Sequence, residues 1–378
     1  MRLERWQRRD PTLEQAWFEG DSLDAALVYA DWLQAQGNPW GELISLQCRG
    51  RDAERLEVLF AELELPEQAL ATIGWRHGRF NWVRLGNQLD SMDESFQPVA
   101  LAEQLFTLPM ADGLRTLRLG FQRWGHGADD IPAVLRAAAS RPFARRLRRL
   151  HVGDIAPDID LSHFAFGNVS SVSEWFPNLV ELVLRGGDPS WNRAASMDFG
   201  VLMLPHLRTL SLEMCSMSAR RLEGLVASEL PSLERLEVWF GAERSGALGL
   251  SGSPVLVPLL EARRFPRLSW LGLRNTEFTD ALVPLVWRSS LAPQLEGLDL
   301  SMGVLSSDGA TTLARLAQGS SRSGPRALPR LKVLDVRENF LLPKDVKALV
   351  EAFPGVEVRA DSQKMPLEDG ERYVSVAE

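Results

Sequence analysis

A six-residue pattern, Leu-x-x-Leu-x-(Leu/Val), recurs along most of the chain and limits its fold more than any other feature. It begins at Leu114, Leu147, Leu179, Leu207, Leu233, Leu268, Leu295 and Leu331, at intervals of 26 to 36 residues. A weaker copy, Phe80-Asn81-Trp82-Val83-Arg84-Leu85, stands 34 residues ahead of the first. Self-similarity at such a period is the mark of stacked repeats. From the third clear copy onward a proline lies two positions ahead of each start, at Pro177, Pro205, Pro231, Pro266, Pro293 and Pro329. Proline cannot donate to a sheet ladder, so it marks where a turn becomes a strand. The last two apolar residues of each copy alternate, which points one strand face into a core. Pro354 leads into a last short strand, Val356-Glu357-Val358.

Each strand is followed by a helical stripe. After Leu207 come Leu222, Leu225 and Leu230, and after Leu331 come Val346, Leu349 and Phe353. Spacings of three to five put these residues on one helix face. Pro343 suits a first helical position and Asp280 a capping position. One unit is thus a strand plus a helix, and no unit closes its core alone. At these residues the sequence resembles the leucine-rich repeat family, in the longer form typified by ribonuclease inhibitor. The resemblance covers about residues 80 to 358. It implies an α/β leucine-rich-repeat solenoid, with parallel strands on a concave face and helices on the convex side. The Asn or Cys that the family carries after the strand is met by Cys215 and Asn339. Gln122, Ile155, Gly187, Gly241, Thr276 and Gly303 hold that place elsewhere, which predicts irregular loops.

Residues 1–79 break the period. Ser22 to Gln36 reads as a helix with Leu23, Ala26, Leu27, Ala30 and Leu33 on one face and Asp21 or Ser22 as cap. Gly37-Asn38-Pro39 stops it, and Gly41 to Arg49 restarts a short helix. The strings Leu27-Val28-Tyr29-Ala30-Asp31-Trp32-Leu33 and Gly37-Asn38-Pro39-Trp40-Gly41-Glu42-Leu43-Ile44 resemble the bacterial repeat-companion domain. That resemblance implies a small helical module ahead of the repeats and no biochemical activity. Its expected role is a cap, because an open end of a repeat stack exposes apolar surface. The expected division is therefore 1–79 as cap, 80–358 as repeats and 359–378 as a C-terminal tail. Val374 and Val376 alternate as a strand would and could close the other end.

Function classes narrow quickly. Hydrophobic residues make up 45% and charged residues 24%, which excludes a disordered or disulfide-stapled chain. No apolar run is long enough to span a membrane, and the first residues lack a secretory signal. Two cysteines, Cys48 and Cys215, have no metal-ligand spacing, and a reducing cytoplasm is expected. They sit at apolar positions, as small buried hydrophobes would. No nucleophile elbow, zincin helix, Cys-x-x-Cys or P-loop occurs, so no enzyme and no cofactor is expected. Gly246, Gly249 and Gly252 have the wrong spacing for a dinucleotide fingerprint and read as a flexible insert. His151, Asp154, Asp158, Asp160 and His163 are the one set with metal-binding chemistry. His151 belongs to a strand and the rest to an insert, so they read as solvated loop residues, and no metal is expected.

Charge is uneven. Residues 114–151 hold nine Arg against Asp129 and Asp130, a local +7, within a chain whose net charge is -8. Outward strand positions run from Arg115, Arg118, Arg148, Arg149 and His151 to Glu234, Glu237, Glu296, Asp299 and Asp335. Long loops after the strands add Phe121, Trp124, Trp191, Trp239 and Phe240. Trp and Arg anchor many interfaces, although a Trp folded over the core is equally common. The pattern predicts a non-catalytic scaffold that binds a protein with an acidic surface through Arg115, Arg118, Trp124, Arg148, Arg149, His151, Trp191 and Trp239. The alternative is nucleic-acid binding through the same Arg-rich early repeats. The overall negative charge weighs against it.

Overall fold

The computed structural model describes residues 3–50, 52–65, 71–86, 96–120, 127–155, 161, 164–187, 197–242, 256–261, 263–323 and 327–376. The chain packs as two compact units. One comprises residues 1–124 and 133–150, the other residues 125–132 and 151–378.

The first unit opens with four helices, α1 (Pro11–Gly20), α2 (Leu23–Ala35), α3 (Pro39–Arg49) and α4 (Ala53–Glu62). Local chemistry sets their ends. The Asp10 carboxylate accepts from the amides of Thr12 and Leu13, ahead of Pro11 at the first helical position. Ser22 caps α2 and Asn38 caps α3. Helices α2 and α3 meet closely at Gly41, where a Cβ would fall 2.5 Å from the carbonyl oxygen of Ala30. The Trp17 ring lies 5.0 Å from Phe18, 5.6 Å from Tyr29 and 5.9 Å from Trp40. The Trp40 indole donates to the Gly78 carbonyl at 2.6 Å. This aromatic cluster is the core of the unit's helical part.

The region expected to be purely helical also contains a strand. β1 (Ala71–Arg76) pairs antiparallel with β2 (Arg79–Leu85) through a two-residue turn. His77 and Gly78 both take positive φ, 51° and 80°, the geometry that a tight hairpin turn needs. Histidine is an unusual choice there, so the sequence hides the turn. α5 (Pro98–Phe106) leads to β3 (Thr116–Leu119), which pairs parallel with β2. Val83, Leu85, Leu117 and Leu119 are fully buried, as the alternation predicts. α6 (Gly127–Ala139) and β4 (Arg149–Val152) each carry residues of both units.

The second unit repeats one plan. After α7 (Val172–Trp175), its strands are β5 (Glu181–Gly186), β6 (Thr209–Met214), β7 (Arg235–Gly241), β8 (Trp270–Thr276), β9 (Gly297–Asp299), β10 (Val333–Asp335) and β11 (Glu357–Arg359). Each is hydrogen-bonded in parallel to the next. α8 (Ala219–Ala227), α9 (Leu256–Leu259), α10 (Thr279–Arg288), α11 (Ser307–Ser323) and α12 (Pro343–Ala352) lie between the strands in chain order. In register, Leu182, Leu210, Leu236, Leu271, Leu298 and Leu334 form one column, none more than 1% exposed. Burying each leucine is worth about 1.5–3 kcal/mol, so the column holds the stack together. This is the strand-and-helix plan of a leucine-rich repeat.

The turns after the strands also repeat. Gly272, Asp299, Asp335 and Arg359 pair in register, and three residues after each come Asn275, Met302, Glu338 and Ser362. All four have φ between 52° and 66°, a left-handed conformation that turns the chain off the strand. Asn339 follows the third of them and is completely buried. Its Nδ2 donates to the carbonyls of Leu300, Val336 and Arg337 at 2.9, 3.1 and 3.1 Å, and its Oδ1 accepts from the Leu305 amide at 2.8 Å. One side chain thus stitches two successive repeats. Asp280 is not a cap, contrary to expectation. α10 starts one residue earlier, and the Asp280 carboxylate instead accepts from the amide and hydroxyl of Ser306.

Candidate functional site

In the first unit, the apolar alternation turns a second set of residues outward. Trp82 pairs in register with Thr116, and Arg84 with Arg118. Arg118 is exposed, as are Arg148 and Arg149. Arg84 was not among the residues expected at the site. The weak copy Phe80–Leu85 carried the signal, because Arg84 sits between Val83 and Leu85 as Arg118 sits between Leu117 and Leu119.

Arg115 has a different place from the one its spacing predicts. It is half-buried, and its guanidinium donates to the carbonyl of Phe18 in α1 and, at 3.3 Å, to that of Arg146. Burial, with the nearby charge of Arg148, pushes its pKa down. Arg79 lies deeper still, 1% exposed, beside the rings of Trp17 and Phe18, 5.3 and 5.5 Å from their centroids, and paired with Asp21. Burial lowers its pKa to about 10. Arg146 also lies over the Phe18 ring, 5.2 Å from its centroid. These arginines bind the end of α1 and are structural; Arg118 in β3, Arg149 at the start of β4 and Arg148 just ahead of it are exposed, while Arg84 in β2 is half-buried and donates to the Gly86 carbonyl at 3.3 Å.

In the second unit, the acids expected to form an acidic half are held in ion pairs. Glu237 pairs with Arg235 and, at 3.4 Å, with Arg274; Asp299 also lies 3.4 Å from Arg274. Asp335 pairs with Arg337 at 2.7 Å, Glu296 with Lys332 at 2.8 Å and Glu234 with Arg208 at 3.7 Å. Burial raises the pKa of Glu213 and Asp299 despite these cations. The face is a lattice of alternating charge, not an acidic surface. Trp239 lies within it, only 8% exposed, with Arg274 5.2 Å and Arg185 6.0 Å from its ring. Trp270 similarly lies under Arg235 at 4.1 Å, over Gly297, where a Cβ would strike its ring. Trp239 therefore packs laterally and presents little surface to a partner.

His151 is half-buried, its Nδ1 3.7 Å from the Asp154 carboxylate. Trp124, Trp191, Asp158, Asp160, His163 and the glycines 246, 249 and 252 lie outside the described residues. Among the described residues no three His, Cys, Asp or Glu side chains are grouped to hold a metal ion. Cys215 is buried, and Cys48 is half-buried with its thiol pKa raised by burial, the opposite of an activated thiolate.

No protein-family model and no curated protein matches the sequence. Among solved structures, a crystal structure of a Bacteroides fragilis protein superposes with a TM-score of 0.64 at 22% identity, over 78% of this chain and 77% of that one. A leucine-rich repeat protein of Leptospira interrogans matches over 68% and 56% at 13% identity, with a TM-score of 0.30. An internalin of Listeria monocytogenes matches over 75% and 82% at 12% identity, with a TM-score of 0.26. The first shares the fold; the other two superpose too loosely to bear on it. No helix among the described residues is long and apolar enough to cross a membrane.

Proposed function

We propose that the chain is a bacterial, cytoplasmic, non-catalytic protein-recognition scaffold that docks an acidic protein surface through Arg84, Arg118, Arg148 and Arg149. The observation that carries this reading is the register that sets Arg84 directly opposite Arg118. No acid occupies an outward position on β2 or β3, so a negatively charged segment would meet two arginines on adjacent strands whose backbones lie about 4.8 Å apart. Arginine's planar fork gives such a segment bidentate contacts. Trp124, Trp191 and His151 remain proposed additional contacts, with Arg115 as the residue that positions the strand. Residues 1–79 are read as a repeat-companion-type cap, residues 80–358 as ribonuclease-inhibitor-type repeats and residues 359–378 as the tail.

The test uses a labelled octaglutamate peptide and random-sequence DNA with the full-length protein. The peptide should bind with an affinity that falls with salt, and Arg118→Glu with Arg149→Glu should weaken it at least tenfold at unchanged Tm. DNA binding tighter than peptide binding, with a steep salt slope, would favour the nucleic-acid alternative. Binding of neither would remove the arginine face from consideration.

A further inference from the structure

After β11 the C-terminal segment runs backwards over the strand ends of the second unit. The Glu338 amide donates to the Asp361 carbonyl at 3.4 Å and the Lys364 amide to the Asn339 carbonyl at 2.6 Å. An outward turn follows, in which Met365 is 78% and Leu367 51% exposed. Residues 372–376, in neither helix nor strand, then lie along the loops after β9 and β8. The Ser375 amide donates to the Met302 carbonyl at 3.0 Å. Asn275 holds both main-chain groups of Val376, its Nδ2 donating to the carbonyl at 2.6 Å and its Oδ1 accepting from the amide at 2.9 Å. Val374, 3% exposed, is packed with Ala242, Val304 and Phe340. The Arg372 guanidinium donates to the Val304 carbonyl at 2.8 Å and lies 3.7 Å from the Asp280 carboxylate.

We propose that this rim, from Ala242 and Asn275 to Val304 and Phe340, is a binding groove for an extended peptide, which the chain's own residues 372–376 occupy in cis. A cap would cover the apolar end at β11, yet the segment reaches back three strands and buries one apolar side chain. Its fastening is the kind that a partner in trans can reproduce. Main-chain hydrogen bonds to Asn275 and Met302 accept any sequence, while one small apolar pocket and one cation site select. The matching partner segment carries a basic residue, any residue, then a β-branched apolar residue, in extended conformation. A tethered tail competes at an effective concentration of about millimolar, so the groove opens to partners that bind much more tightly than the free tail peptide or when the tail is removed. The inference is independent of the arginine face, and its test involves none of those residues.

The experiment uses a fluorescent peptide of residues 370–378, Gly-Glu-Arg-Tyr-Val-Ser-Val-Ala-Glu, with the full-length protein. Val374→Asp in the protein unseats its own tail and leaves the groove intact. This variant should bind the peptide at least tenfold more tightly than wild type, and Asn275→Ala in the same background should abolish the gain. Should Val374→Asp fail to fold, wild-type protein titrated with unlabelled peptide gives the second readout, faster hydrogen exchange at the Ser375 and Val376 amides. A folded Val374→Asp protein that does not bind the peptide would overturn the proposal. So would equal binding of a peptide carrying Asp at the Val374 position, or unchanged exchange at millimolar peptide.

Discussion

The guanidinium of Arg115 donates to the main-chain carbonyl of Phe18, 97 residues earlier, and so ties the strand entrance at β3 to the last turn of α1. The carbonyl belongs to a helix C-terminus, where acceptors are left over and positive charge is favoured. Arg115→Glu should therefore lower Tm by several degrees, at a cost of about 2 kcal/mol for a charge-assisted hydrogen bond replaced by repulsion. Arg118→Glu, three residues on and exposed, should leave Tm within a degree. Thermal melts of the two variants side by side check this. Equal Tm values would mean that Arg115 is as dispensable to the fold as its exposed neighbour.

Asn339→Ala removes a side chain that satisfies three carbonyls and one amide in the interior. Leaving those groups unpaired should cost about 2–4 kcal/mol. Urea unfolding monitored by circular dichroism should show a lower midpoint. Asn339→Asp should cost as much or more, because the donor is lost and a charge is buried.

Gly41→Ala should destabilise the helical part of the first unit by about 1–3 kcal/mol. The added Cβ would meet the Ala30 carbonyl and the Gln34 amide, both main chain, at 2.5 and 2.8 Å. Glycine is needed here for close approach, since its helical φ suits any residue. Fluorescence of the Trp17 and Trp40 cluster should shift at lower denaturant in the variant.

Lys364 gives the chain a pH dependence at its C-terminal segment. Its ammonium lies 4.9 Å from the Phe340 ring and 5.1 Å from that of Tyr373, and donates to the Tyr373 carbonyl at 2.6 Å. The Met302 carbonyl and Ser375 hydroxyl are within 3.4 Å, and Glu338 is the facing acid. Burial dominates and lowers the pKa from 10.5 to about 8. Between those values the unfolded chain holds more protons than the folded one, so stability rises with pH across that window. Tyr29, whose phenol is pushed up by burial, contributes the opposite slope above pH 10. The difference between wild type and Lys364→Met cancels that contribution. Tm of wild type minus that of the variant should increase from pH 8 to pH 10, and a flat difference would refute the assignment.

The repeat was legible because it rests on local rules. Leu207, Leu210 and Leu212 are apolar at the spacing of a strand that enters a core, and all three are fully buried. The β1–β2 hairpin was not legible, because its turn places His77 rather than Asn or Gly at a left-handed position. The candidate site divided along the same line. Arg118 and Arg149 followed from alternation, while Arg115 and Arg148 precede their regular strands, and the direction of Arg115 is set by α1. Trp239 obeys the alternation and yet is covered, because side chains on neighbouring strands lean over it.

The sequence by itself determined the strand-and-helix repeat, the inward leucine columns and the outward arginines of the first repeats, since each depends on residues within one turn or one strand. The tertiary structure decided which outward charges are already used. Glu237 and Asp299 looked like part of an acidic face, but their shared partner Arg274 on β8 is brought beside them by strand register and side-chain direction. Only the folded chain also sets Val376 against Asn275, 101 residues away, where a main-chain amide can find an acceptor that no local pattern supplies. Periodicity is a property of short stretches, whereas the pairing of charges and of buried polar groups depends on which distant stretches meet.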